Sequence, residues 1–316
     1  MRFSNSNADP YGGNPNPSGN SGMLSMRQQR RRGRLRGCLG CLTPMLALLI
    51  IGALISTFLG LSLTGGPTVI QVGSHPTLIV ESEGFTESVL NKPVIHIHAG
   101  GQNGQIVIQP HRLLGIPFGF PEVYQESSDH QTVIYNYDSS SDASGTFDIT
   151  VPAQTNLKVD TNSWALQVEG ITGQMVLTTN SGTLTVKNCH LLGSSLLSSN
   201  SGELHITQDQ LSGSVVLDDN SAAITFQGSL DPHGTYGFAN NKGTITVTLP
   251  QNMNVHIDAV TGNGGTLTSH IPQTSVQQSA FGNGFELHAD VGATPRAVLS
   301  LSTNNGSITI NEQGGN

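Results

Sequence analysis

Two histidines spaced two residues apart are the first candidates for chemistry. In Val94-Ile95-His96-Ile97-His98 both imidazoles fall on one face of a strand, because alternate side chains share a face. That spacing can hold a metal, but no third ligand is evident around it, and alternation with Val94, Ile95 and Ile97 also describes an ordinary half-polar strand. Asp218-Asp219 is the one paired acid within the regular part of the chain. Enzymes that cut polysaccharides on stacked strands need a second carboxylate beside the first, yet the equivalent positions of neighbouring units hold Ser198-Ser199 and Ala239-Asn240. Cys38 and Cys41 form a Cys-x-x-Cys with no second pair to complete a zinc site, and Cys189 lies far away, so no disulfide framework is expected. No G-x-S-x-G elbow, phosphate-binding G-x-x-x-x-G-K-[ST] loop or calcium repeat occurs. The residues predict no catalytic site, no cofactor and no metal site.

The elements that carry these residues show a recurring register. Asparagine recurs at 162, 180, 200, 220, 241, 263, 283 and 304. Four residues after each stand Leu166, Leu184, Leu204, Ile224, Ile245, Leu267, Leu287 and Ile308, all aliphatic. Three before each stand Val159, Leu177, Leu197, Leu217, Phe238, Val260, Ala280 and Leu301, all apolar. Offsets four and six point the same way on a strand, with mostly polar residues such as Thr185, His205 and Thr225 between them. Each unit of about 20 residues therefore contributes two strands that meet at an Asn corner, as in Asn180-Ser181-Gly182 and Asn241-Lys242-Gly243. One such unit cannot bury its apolar face alone, whereas stacked neighbours can. The expected fold is all-β: a β-solenoid or β-roll of about eight two-strand repeats over 151–316. A large antiparallel sandwich is the alternative. Residues 65–150 read as a β-rich start, with strands Thr68–Val72, Thr77–Glu81, Val94–His98, Gln105–Gln109, Thr132–Asp138 and Thr146–Val151. The apolar, Pro-broken segment Leu113–Val123 reads as a loop over the open end.

The N-terminal part differs. Residues 1–37 hold seven Arg and one acid, while 64–316 hold six Lys or Arg against twenty acids. The acidic majority excludes nucleic-acid binding, which needs a basic footprint. Leu42–Leu63 is uncharged and 22 residues long, enough to cross a hydrocarbon core of about 30 Å as a helix. A cleaved signal would have a shorter apolar run with a small-residue site after it. The expectation is a disordered basic tail at 1–37, a transmembrane helix within 38–64 with core 42–63, and a bilayer as first partner. The Arg cluster before the span places the N-terminus in the cytoplasm and the remainder outside the cell.

Phe147-Asp-Ile-Thr-Val-Pro152, the units Gly173–Val186 and Gly193–Ile206, and the close Leu299–Ile310 resemble the bacterial putative-adhesin family of β-strand-repeat domains. Ser221-Ala222-Ala223 departs from the Ser-Gly corner of that pattern. The resemblance covers about half of the chain. It implies an all-β extracellular domain, adhesion by label only, and no catalytic residues. The reading is a non-enzymatic, membrane-anchored adhesin-like protein that binds a glycan or an envelope or matrix polymer. An envelope-sensing component and a carbohydrate-active enzyme are the alternatives. The Thr-x-Thr pairs at 183/185, 244/246 and 266/268 offer a flat outward ladder. The last unit runs into 311–316 without a cap, an open edge compatible with end-to-end association.

Overall fold

The computed structural model describes residues 62–64, 66–83, 94–101, 104–113, 123–127, 132–138, 145–262, 264–279 and 282–314. The expected tail, both N-terminal cysteines and the loop residues 114–122 lie outside them. Among the described residues every element is a strand: β1 Ser62–Thr64, β2 Thr68–Gln71, β3 Thr77–Glu83, β4 Val94–Ala99, β5 Gln105–Leu113, β6 Val123–Ser127, β7 Thr132–Asp138, β8 Gly145–Val151, β9 Asn156–Thr161, β10 Ala165–Glu169, β11 Thr172–Gly173, β12 Met175–Thr179 and β13 Leu184–Lys187. Then follow β14 His190–Leu191, β15 Ser194–Ser199, β16 Leu204–Leu211, β17 Ser214–Asp219, β18 Ile224–Leu230, β19 Thr235–Asn240, β20 Thr244–Leu249, β21 Val255–Thr261, β22 Thr266–Ser269, β23 Gln277–Gln278, β24 Phe285–Val291, β25 Ala297–Thr303 and β26 Ser307–Glu312.

These strands form two mixed sheets of 14 and 12 strands. In the middle, each unit sends one strand to each sheet and pairs in parallel with the next unit. Leu166, Leu184, Leu204, Ile224, Ile245, Ile308 and Leu267 stand in one column of the larger sheet. Val159, Leu177, Leu197, Leu217, Phe238, Leu301 and Ala259 do the same in the smaller one. Both columns belong to one buried core. Alternation of inward aliphatic and outward polar residues dictates this, since shifting a strand by one residue would expose its whole apolar set. Phe226 and Phe238, from opposite sheets, meet edge to face with ring centroids 5.4 Å apart, and Trp164 stacks on Phe147.

The expected stack of eight sequential repeats is not what forms. The last strand pair, β25 and β26, lies between β19/β20 and β21/β22, so spatial order departs from chain order. At the other end, β3/β4 sits between β7/β8 and β9/β10. Antiparallel strands finish each sheet: β5 pairs β8, β6 pairs β7, and β24 pairs β21. The seventh unit fails because Leu287 lies on antiparallel β24, opposite Ala259. The sixth has a corner one residue longer, with Gly262 between Thr261 and Asn263. That insertion puts Ala259 in the column and turns Val260 outward, where it is 43% exposed. The C-terminal strand β26 is not an open edge, because β20 and β22 pair with its two sides.

The expected transmembrane helix is likewise not supported. No helix among the described residues is long and apolar enough to cross a membrane. Residues 42–61 lie outside the described set. Ser62 and Leu63, the C-terminal end of the expected span, are instead in β1, where they pair antiparallel with Leu113 and Arg112.

Candidate functional site

The recurring asparagines assemble a surface feature. Asn180 Nδ2 donates to Asn162 Oδ1, Asn200 to Asn180, Asn220 to Asn200 and Asn241 to Asn220, each at 3.0 Å, and Asn304 donates to Asn241 at 3.3 Å. Six side-chain amides thus form one ladder along the corners. Each rung uses one N–H and one lone pair within the ladder, which leaves a second N–H and further acceptor capacity per amide.

Beside the ladder runs a buried polar column of Thr161, Thr179, Ser199, Asp219, Asn240, Thr303 and Thr261. Four of its members, Thr179, Ser199, Asp219 and Asn240, cap the corners from inside. Thr179 Oγ1 accepts the Gly182 N–H at 3.0 Å, and Ser199 Oγ accepts the Gly202 N–H at 2.8 Å. A Cβ on Gly202 would stand 1.8 Å from the Gly182 carbonyl oxygen, so glycine is required at that approach. At the third corner Ala222 stands in the glycine position and Asp219 is the cap: its Oδ1 accepts from both Ser221 N, at 2.7 Å, and Ala222 N, at 2.6 Å, as Asn240 Oδ1 accepts from Lys242 N and Gly243 N at the next corner. Ser201 N donates to Asn180 O, whereas Lys242 N is shared between Asn220 O and Asn240 Oδ1. Burial raises the Asp219 carboxyl above its usual range against the pull of the Ala222 and Ser221 amides. The Asp218-Asp219 pair is accordingly divided, with Asp218 outward on the strand surface and Asp219 serving as a corner cap.

Ladder and column border a groove of about 1000 Å³ that crosses seven parallel strands, with Asp160, Thr178, Ser198, Asp218 and Ala239 along its floor. At about 4.8 Å per strand it extends roughly 29 Å. Thr178 Oγ1 donates to Asp160 Oδ1 at 2.9 Å. Asp160 and Asp218 are three strands apart, about 14 Å, beyond the roughly 5–10 Å that separates the carboxyl pair of a glycoside hydrolase.

The Thr-x-Thr pairs lie on the outer face of the other sheet. Thr225, Thr246, Thr309 and Thr268 stand side by side, but His205 separates Thr185 from them. His96 and His98 are outward on β4, and parallel pairing with β8 sets Asp148 beside His96 and Thr150 beside His98. The third ligand absent from the local sequence thus comes from a strand fifty residues on. No periodicity points to it, because β8 lies in the irregular part of the chain. Cys189 is a buried free thiol pushed up to about 12 by desolvation, which makes it a packing residue rather than a nucleophile.

No family model matches the chain, and no curated protein matches it. Among solved structures it is similar to a putative cell adhesion protein from Clostridium sporogenes (13% identity, 78% of this chain and 99% of that one, TM-score 0.31). It is also similar to a putative adhesin from Bacteroides fragilis (12% identity, 80% and 97%, TM-score 0.33). A third is a putative adhesin from Parabacteroides distasonis (11% identity, 79% and 98%, TM-score 0.25). At such TM-scores these neighbours carry no argument about this chain, and the functional reading rests on the groove.

Proposed function

We propose that this is a non-enzymatic, adhesin-like protein of the cell surface that binds an extended polar polymer, such as a glycan or matrix chain, along the asparagine-bordered groove. The observation that carries the reading is the repetition itself. A linked corner amide recurs on six of the seven strands, about 4.8 Å apart, with a hydroxyl or carboxylate beside it at Asp160, Thr178, Ser198, Asp218 and Ser302. A ligand with its own regular polar repeat can engage many rungs at once, each weakly. The wide separation of Asp160 and Asp218 favours binding over cleavage. The arginine cluster Arg27–Arg36 and the uncharged run after it support attachment to a membrane surface. Binding of the full chain to immobilised glycans and matrix polymers, graded by length, tests the reading. Affinity should rise with chain length until the ligand covers about 29 Å and then level off. Equal affinity for monomers and long chains, or release of sugars from the polymer, would overturn it.

A further inference from the structure

We propose that His96, His98 and Asp148 form a binding site for a divalent transition-metal ion of the zinc class. The three side chains offer one ligand atom each, all within 4.8 Å of one another. Asp148 Oδ1 lies 2.9 Å from His98 Nε2 and 3.6 Å from His96 Nδ1. Two donors bound to one tetrahedral ion at about 2.0–2.2 Å stand roughly 3.3–3.6 Å apart, so small adjustments of the rings suffice. The imidazoles lie with centroids 5.0 Å apart and tilted, which leaves their inner nitrogens turned to the same carboxylate.

The hydrogen bonding also fits ligation. Asp148 Oδ1 is buried and has no donor aligned on it, despite the nearness of His98 Nε2. His98 Nδ1 lies 3.4 Å from the Ala99 carbonyl oxygen, which can accept its proton and so leave the lone pair on Nε2. Thr150 Oγ1, 3.3 Å from that nitrogen, is a neighbour that competes for it. Two neutral imidazoles and one carboxylate suit zinc, nickel or cobalt better than calcium or magnesium. The three side chains are 29–39% exposed, so a further coordination position opens to solvent and is free for water or a donor from a bound partner.

A second group of histidines and acids shows the contrast. His256 Nδ1 bonds Asp290 Oδ1 at 2.6 Å and His288 Nδ1 bonds Asp258 Oδ1 at 2.7 Å. His256 Nε2 also lies 3.2 Å from Asp258 Oδ2, so these four groups form a chain of paired contacts, and among the described residues only His96, His98 and Asp148 bring three ligand atoms together.

The test uses the full chain stripped with a chelator and titrated with Co(II), followed by visible absorption, and with Zn(II) in competition with a chromophoric chelator. It is run in parallel in a Cys38→Ser/Cys41→Ser background, which removes any thiolate contribution. One equivalent should bind in both backgrounds, without a sulfur charge-transfer band in the serine background. Asp148→Asn, which keeps shape, and His96→Gln should each weaken binding by at least ~10-fold, while His288→Ala should leave it unchanged. Circular dichroism confirms that the variants fold. The proposal is overturned by loss of binding in the serine background, or by unchanged affinity in folded Asp148→Asn.

Discussion

Asp209 shows what a single residue does here. Gln208 adopts a left-handed backbone with φ of 60°, and the ladder between β16 and β18 slips there by one residue. The bulge turns the Asp209 carboxyl inward, where Oδ1 accepts the backbone N–H of Cys189 from the preceding unit. Oδ2 is buried without a partner, and desolvation raises the acid to about 7. The folded state therefore binds a proton that the unfolded chain releases near pH 4. Between about pH 4 and about 7 the native form holds more protons, so this residue's contribution falls as pH rises and is constant above. The loss amounts to about 4 kcal/mol at most. Asp209→Asn should keep the amide bond and remove that slope, as measured by urea unfolding at pH 4.5 and 7.5. An unchanged slope would contradict the assignment. The asparagines were legible in sequence because their side chains repeat with the strands. Asp209 was not, because the need for it arises from a bulge that interrupts the repeat.

At the level of elements, β24 depends on its outward pairs with β21. His256 is raised above its usual range, first by its hydrogen bond to Asp290 and further by the Asp258 and Asp290 charges. Asp290 is lowered by the same bond, helped by Arg296. A raised imidazole stabilises the fold below its unfolded range, near 6.5, and loses that effect as pH rises through its folded value. A lowered carboxyl stabilises above about 4 and loses its effect as pH falls. The two windows overlap between about pH 4 and about 6.5, where β24 should be held best. Amide exchange of β24, corrected for intrinsic rates, should be slowest near pH 5.5, and Asp290→Asn should flatten the profile. Exchange that ignores this substitution would refute the coupling. Most strands of 65–150 were legible as apolar runs, as was most of each inward column; β6 was not, because Val123–Ser127 carries too few apolar residues to stand out. The insertion of β25/β26 was not, because parallel neighbours with matching aliphatic faces fit the column in either order. The extra residue at Gly262 and the antiparallel turn into β24 decide between them.

Across the molecule, two sheets share one core, and the two outer faces differ in kind. One is a flat threonine-bearing surface with the His96–His98–Asp148 cluster toward one end. The other meets the corners in a groove bordered by linked amides. The sequence pattern announced the corners but directed attention to the threonine face, since threonine pairs are visible as a string and a groove is not. The groove exists because polar caps beneath the corners let strand ends and amides share a border. The most direct measurement is polymer binding by the full chain with Ser198→Arg, which fills the groove floor, compared with Thr246→Arg on the opposite outer face. The groove account predicts at least a ~10-fold loss for Ser198→Arg, about 1.4 kcal/mol, and no change for Thr246→Arg. The reverse pattern, with binding lost only when the threonine face is altered, would contradict it.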